Sequence, residues 1–551
     1  MHSSFRHEAA RTTAATIALA VLLGTSAGQA VAAAPAADEA KPRVLGQISF
    51  PNSGNTAAQP AFIEGVLYLH NFEYEDAESA FLAAQEADPN FALAYWGEAM
   101  THNHPIWMAQ YTDKANAALA KLGATVEARQ AKAPTQRERD YLMAIETLYG
   151  NAERAAGKSK NERDLLYRDE MRRLHDTYPD DDEAATLYAL SILGTAHEGR
   201  DFRVYMRAAA VAEPVWERNR EHPGAAHYLI HSYDDPIHAP LGLPMAHAYS
   251  KIAPAAAHAQ HMTSHIFVAL GMWNEVVAAN DTASDVQHHH EHELGEPASL
   301  CAHYPYWLEY GHLQLGRLSD ARQVMETCAA RMANEPTRTE LWHFGAMRAR
   351  YVLDTGDFAA LERWTAEFPE NLGARDYHFA DAYAAIRRGD RAAAERHLEA
   401  LKVSQARDRM GQEREDPEKA VLVEEIEALM LLQAGKVEDA LAKLRHAAET
   451  ETSLPYEFGP PNVVKPAWEL YGETLLDLGR HAEAASAFAR QLDRTPRRTA
   501  TLLGLARAQT GAGDTRAARE TYGELAEIWK NAEPAVAALV AEAREGSATA
   551  P

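Results

Sequence analysis

Residues 468–496 read WELYGETLLDLGRHAEAASAFARQLDRTP. Trp468, Tyr471 and Gly472 are followed by Ala484, Phe488 and Pro496, and LGR at 478–480 breaks two apolar stretches of helical period. Small residues stand where two helices must approach, an aromatic fills the gap beside them, and Pro ends the second helix. The same intervals recur near the N-terminus, where Gly65 and Tyr68 are followed by Ala77, Phe81 and Pro89. Between these copies the turn is marked by LGR at 315–317, TGD at 355–357, RGD at 388–390 and AGK at 434–436, and beyond them by AGD at 512–514. Gly in such a turn suits a left-handed helix cap, and an Ala-bearing helix follows each. Alternating, strand-like patterns are rare. The reading is an all-α chain of about nine or ten helix hairpins, stacked because one hairpin cannot bury its own apolar face.

This pattern resembles the tetratricopeptide repeat, W-x2-L-G-x2-Y…A-x3-F…P, over most of residues 58–535. The resemblance implies an α-solenoid superhelix whose first helices line a concave groove. It also implies a scaffold for a peptide, protein or small-molecule ligand, with no chemistry of its own. The pieces HNHP, AHYLIHSYDDP, HAQHMTSHIF, LGMWNE and LPYEFGPP look like an uncharacterised family of exported, His-rich bacterial repeat proteins. The basic clamp that such scaffolds use for carboxylate tails is replaced here by histidine.

Arg6 and Arg11 precede the short apolar core TIALAVLLG, and Ala30-Val31-Ala32 fits a small-x-small cleavage pattern. Residues 1–32 therefore read as a signal peptide, with an uncleaved anchor as the rival, and the mature chain as periplasmic or secreted. The expected organisation continues with a flexible lead-in at 33–54 and an N-terminal array at 55–285. A His-rich insertion loop at 286–299, a C-terminal array at 300–535 and a flexible tail at 536–551 complete it. The segment 111–162 breaks the period and suggests extra helices, and SLPYEFGPPNVVKP at 453–466 reads as a loop. Such a loop serves either function or spacing. No later stretch is long enough for a stable membrane span. A net charge of −25 argues against nucleic acid as a partner. Oligomeric state is not legible. Cys301 and Cys328 are the two cysteines. They flank a hairpin whose ends meet, which predicts a disulfide, with a reduced buried pair as the alternative.

The histidines carry the functional signal. HYLIHSYDD holds His227 and His231; HMTSHIF holds His261 and His265. Both pairs are four residues apart, so each shares a helix face, and the second pair follows the first by 34 residues. Four imidazoles facing one groove suit a transition metal, Cu or Zn. Measured from the turn glycines, His258, His303 and His343 each lie thirteen residues before Gly271, Gly316 and Gly356, and so occupy equivalent places. His102, His104 and His197 are further candidate ligands near helix ends, and Asp234 or Asp235 could add charge, with Asp235 counted in the ligand set. The run His288-His289-His290-Glu291-His292 reads as a solvated loop tract. HExxH, GxSxG, P-loop and GxGxxG motifs are absent. The expectation is an exported scaffold binding Cu or Zn on its concave face, either as a binder alone or as a metalloenzyme. The alternative is a metal-free periplasmic adaptor for peptides or proteins. Paired HxxxH motifs on facing helices also resemble dinuclear copper centres of oxygen-handling proteins.

Overall fold

A computed structural model describes residues 43–548, apart from 370, 371, 373, 405, 408–412 and 415. The segment expected as a signal peptide, and residues 33–42 of the lead-in, lie outside the described residues. From Val44 onward the chain forms one compact unit. It is all-α: among the described residues 26 α-helices are joined by short turns, and the only strands are two antiparallel pairs of two residues each. No helix among the described residues is long and apolar enough to cross a membrane.

The two motif copies explain the stacking. Phe81 and Phe488 are fully buried. A Cβ added at Gly65 or Gly97 would lie 2.8 or 2.3 Å from the Phe81 ring, and at Gly472 or Gly504 2.9 or 2.4 Å from the Phe488 ring. Each phenylalanine thus wedges between a glycine of its own first helix and the glycine 32 residues on, in the first helix of the next repeat. Neither glycine tolerates a side chain. Turn glycines such as Gly271, Gly316, Gly356 and Gly479 adopt φ of 63–74°, the left-handed cap expected of them.

Phe72 occupies the same turn position, seven residues after Gly65 as Gly479 is after Gly472. It takes φ 58°, a conformation costly for a residue with a Cβ, on the order of 1–2 kcal/mol. The strain places its ring against three histidines, described below.

Several boundaries differ from the sequence expectation. The 286–299 segment is not a loop: the helix Trp273–Leu294 runs through the histidine tract and ends at Gly295 in a left-handed cap. The tract QHHHEHEL carries no helix breaker, and polarity alone had suggested a loop. The two arrays are therefore continuous. The tail is helical over Ala537–Ala548. The described end of the lead-in lacks regular structure yet is anchored, because Leu45 and Phe50 are buried. Extra helices do fill 111–162, including Thr112–Leu122, Val126–Gln130 and Gln136–Leu148.

Cys301 and Cys328 form a disulfide. Cys301 precedes the helix His303–Gln314, and Cys328 lies near the end of its partner Leu318–Arg331. With 27 residues of separation, loop-closure entropy gives about 3 kcal/mol of stabilisation. Thiol titration of the denatured, unreduced chain should find no free thiol; two reactive thiols would contradict the bridge.

Candidate metal centre

Short helices from consecutive repeats bring six histidines together. Pro223–Tyr233 carries His227 and His231, Ala257–Ala269 carries His258, His261 and His265, and His303 opens His303–Gln314. The first two helices pack on each other. The chain lays its apolar residues all round these helices, so the imidazoles are enclosed: His227, His231, His261 and His265 are at most 2% exposed.

The six divide into two triads. In one, His227, His231 and His258 each offer a ring nitrogen within 4.8 Å of the others; in the second, His261, His265 and His303 do the same. A third group, His231, Asp234 and His265, joins the two pairs, so all four imidazoles lie in one enclosure. Each pair is completed by the histidine thirteen residues before the turn of the following repeat, His258 for the first and His303 for the second. The second triad is the first moved along by one repeat. Ring centroids of His231 and His265 lie 5.5 Å apart, and those of His258 and His261 6.0 Å, so the triads abut.

Hydrogen bonds set the tautomers. His227 Nδ1 donates to the His70 carbonyl at 2.7 Å. His265 Nδ1 donates to the Asp234 carboxylate at 2.8 Å. Asn280 spends its amide N–H on the Val276 carbonyl, which leaves its Oδ1 to accept from His261 Nδ1 at 2.7 Å. All three rings therefore carry their proton on Nδ1 and aim an Nε2 lone pair inward. His261 Nε2 meets His265 Nε2 at 3.2 Å and His303 Nε2 at 3.0 Å; His227 Nε2 meets His258 Nε2 at 3.3 Å. His231 Nε2 is buried without a hydrogen-bond partner.

Burial dominates the acid–base behaviour. It pulls His227 down to about 3 and His261 down to about 4, and holds His231, His258 and His265 well below the usual imidazole range. Glu73 accepts the His258 backbone N–H at 3.0 Å, and burial pushes its carboxyl up to about 7. Asp234 touches both triads: it accepts from His265 and lies 3.7 Å from His231 Nδ1. Arg200, itself buried, ion-pairs with it.

Aromatic rings close the site. Phe72 lies 4.3, 6.0 and 5.6 Å from the rings of His227, His231 and His258. Trp307 lies 4.7 Å from both His261 and His265. Phe458, from the 453–466 loop, lies 4.9 Å from His265 and 6.2 Å from His231. Gly459 presses so closely on Trp307 that a Cβ would come within 2.3 Å of its ring. The loop is thus a cover over the histidines.

Other expected ligands stand elsewhere. His102 is buried but joins neither triad. His104 stacks on Tyr74 at 3.9 Å and bonds the Thr101 carbonyl, one aromatic layer away. His197 pairs with Asp164 at 3.0 Å. Asp235 does not face the imidazole nitrogens: its carboxylate accepts from His238 Nδ1 and the Ile237 and His238 backbone N–H groups, capping the next helix. Sequence reasoning missed Asn280, the His70 carbonyl, Phe72 and Phe458, whose roles depend on contacts across repeats. His303 carried a signal, its distance from the turn glycine, but not its place in a ligand set.

A second buried group, His70, Glu183 and His222, is fully enclosed. His222 Nδ1 accepts the Ala225 backbone N–H as a helix cap, so its proton is on Nε2, 3.4 Å from Glu183 Oε1. His70 Nε2 bonds Glu183 at 2.6 Å. The cluster is a carboxylate hydrogen-bonded by the His70 ring with the His222 ring beside it, and it fixes the residue whose carbonyl orients His227.

A tetratricopeptide-repeat family model matches residues 475–543. Among solved structures, yeast Tom70 is similar at 13% identity, over 89% of this chain and 95% of that one, with a TM-score of 0.28. A human IFIT1 dimer with PPP-AAAA is similar at 11% identity, over 86% and 91%, with a TM-score of 0.35. Neither likeness carries an argument about this chain. No curated protein matches the sequence. Hairpins built on paired glycines and a wedged phenylalanine give the chain a tetratricopeptide-like architecture, and the family match places a tetratricopeptide repeat at residues 475–543.

Proposed function

We propose that the protein is an exported copper-binding repeat scaffold, with one ion on each imidazole triad and the two ions side by side. One observation carries the reading. His261 and His265 both keep their proton on Nδ1, yet their Nε2 atoms stand 3.2 Å apart. Two lone pairs in a buried, low-dielectric site repel unless a cation lies between them. Metal–nitrogen bonds of 2.0–2.1 Å at tetrahedral angles place ligand nitrogens about 3.3 Å apart, close to the 3.0–3.3 Å separations in both triads.

All-nitrogen ligation favours Cu or Zn over harder cations. Charge favours copper. Asp234 is the carboxylate that accepts from His265, and two cuprous ions bring half the charge of two zinc ions into that apolar enclosure. Three protein ligands leave each ion an open position, which supplies redox or Lewis-acid chemistry at the paired site. The protein's own contribution is to hold six nitrogens ready, exclude water with Phe72, Trp307 and Phe458, and keep the Nδ1 protons in place. Export is supported by the charged, apolar N-terminus and by the Cys301–Cys328 disulfide.

Elemental analysis of the full purified chain after copper loading and dialysis should find two ions per chain. His227→Ala with His231→Ala should retain one, and removing both pairs should leave none, with helical circular dichroism unchanged. Failure to retain metal, or equal retention by the variants, would overturn the proposal; two zinc ions under competition would correct the metal.

A further inference from the structure

The stripe that carries the triads does not end with them. In each first helix the positions thirteen, ten and six residues before the turn glycine lie along one face. Before Gly271 these are His258, His261 and His265; before Gly316 they are His303, Tyr306 and Tyr310; before Gly356 they are His343, Ala346 and Arg350. The next step of the series therefore replaces the histidine pair by two tyrosines and adds an arginine. His303 and His343 keep the series continuous, with ring centroids 6.4 Å apart.

Arg350 is 1% exposed. Its Nη2 donates to the Tyr306 hydroxyl at 3.2 Å and to the Pro461 carbonyl at 2.7 Å, both neutral acceptors. Its Nε and Nη1 have no hydrogen-bond partner, and no carboxylate ion-pairs with it among the described residues. Asp354, one turn on, is taken by Arg498. Glu309 is enclosed nearby with both oxygens unpartnered, and burial holds its carboxyl towards the protonated form. A buried guanidinium without a counter-ion is costly. The two free groups, Nε–H and Nη1–H, point from different edges of the planar guanidinium, and each is left for a single oxygen of an anion. Rings flank it: Tyr310 lies beneath the guanidinium at 4.9 Å, Tyr306 lies 6.2 Å from His343, and Trp342, 41% exposed, lies 5.9 Å from Tyr306. Pro461 belongs to the loop whose Phe458 covers the triads, so one segment bounds both places.

We propose that Arg350, with Tyr306 and Glu309, forms a subsite for the carboxylate of a small aromatic acid whose ring lies towards His303 and the second triad. This subsite rests on the metal-centre reading for its purpose, but not for its binding. A free N–H of Arg350 holds one carboxylate oxygen, protonated Glu309 offers a further donor, and the Tyr306, His343 and Trp342 rings receive the aromatic body. Movement of the 453–466 loop admits the ligand.

Benzoate titrated into the full-length, chelator-stripped protein, followed by calorimetry, tests it without reference to metal. Wild type should bind one benzoate per chain, and benzyl alcohol, its neutral counterpart, at least tenfold more weakly. Arg350→Met should lose benzoate binding by tenfold or more, and Arg350→Lys should keep part of it. No benzoate binding by wild type, equal binding of the alcohol, or unchanged binding by Arg350→Met would each overturn the subsite. The alcohol comparison uses only wild-type protein, so it decides the matter even where a variant fails to fold. Metal content is measured separately, so a chain that binds benzoate and holds no copper refutes the metal centre alone.

Discussion

Asp234→Asn should weaken metal binding at both ions, an effect no other single non-ligand substitution is expected to match. The carboxylate accepts the Nδ1 proton of His265 at 2.8 Å and sits 3.7 Å from Nδ1 of His231, so one side chain orients a ligand of the second triad and places its charge beside a ligand of the first. Second-shell carboxylates of this kind typically change metal affinity by 10–100-fold. The asparagine keeps the shape and an acceptor oxygen but loses the charge, and its amide N–H competes for the wrong partner. It also strands Arg200, whose side chain is 2% exposed and pairs with Asp234 and, at 3.5 Å, with Asp235. Removing one member of a buried pair costs about 3–5 kcal/mol, so melting temperature should fall as well. The stability loss and the affinity loss separate by comparing competition titrations with a copper chelator below the melting transition. Asp235→Asn provides the contrast. It caps a helix and holds His238, so it should lower stability and leave metal affinity within a few fold. Equal affinity of Asp234→Asn and wild type would remove Asp234 from the centre.

The fold was readable because repetition multiplies a weak local signal. The Gly65–Phe81 and Gly472–Phe488 intervals each describe a contact inside one repeat, and the structure adds the contact to the next repeat, at Gly97 and Gly504. The histidine pairs were readable for the same reason, as a 34-residue recurrence. Their partition into two triads was not. That depends on which neighbouring helix supplies the third ring, and the spacing from His258 to His303 is 45 residues rather than 34 because the helix Trp273–Leu294 is long. The polar run within that helix was misread as a loop because composition was weighed above the absence of Gly and Pro. Asp235 was favoured for its charge; the helix that begins after it claims its oxygens for capping, and Asp234 turns inward instead. Phe72 offered a signal that could have been used. It stands where the other repeats place glycine, and a bulky residue at a position requiring positive φ marks a site where strain is tolerated for another purpose.

Acid should destabilise the metal-free protein steeply while leaving its intrinsic metal affinity almost unchanged. Five imidazoles have folded-state values far below 6.5, with His227 at about 3 and His261 at about 4. Below pH 6.5 the unfolded chain takes up protons that the folded chain refuses, so stability is full above that pH and falls as pH drops towards the folded values. Between pH 7 and pH 5 each such imidazole costs roughly 2 kcal/mol, and five together approach the whole stability of an ordinary domain, about 5–15 kcal/mol. Because a repeat array spreads its stability over neighbouring interfaces, the loss should appear first in exchange protection of 223–269, with the last repeats persisting. Metal binding follows the opposite logic. Five of the six imidazoles of the folded, metal-free triads are already unprotonated at pH 6, so an ion displaces few protons. A surface triad with ordinary values would release roughly two protons per ion at that pH. Calorimetry at pH 6 in two buffers of different ionisation enthalpy measures the number released. A value near zero is expected. Release of about two protons per ion would mean that the imidazoles titrate in the folded chain as they do in water, and the enclosed, preorganised centre would have to be abandoned.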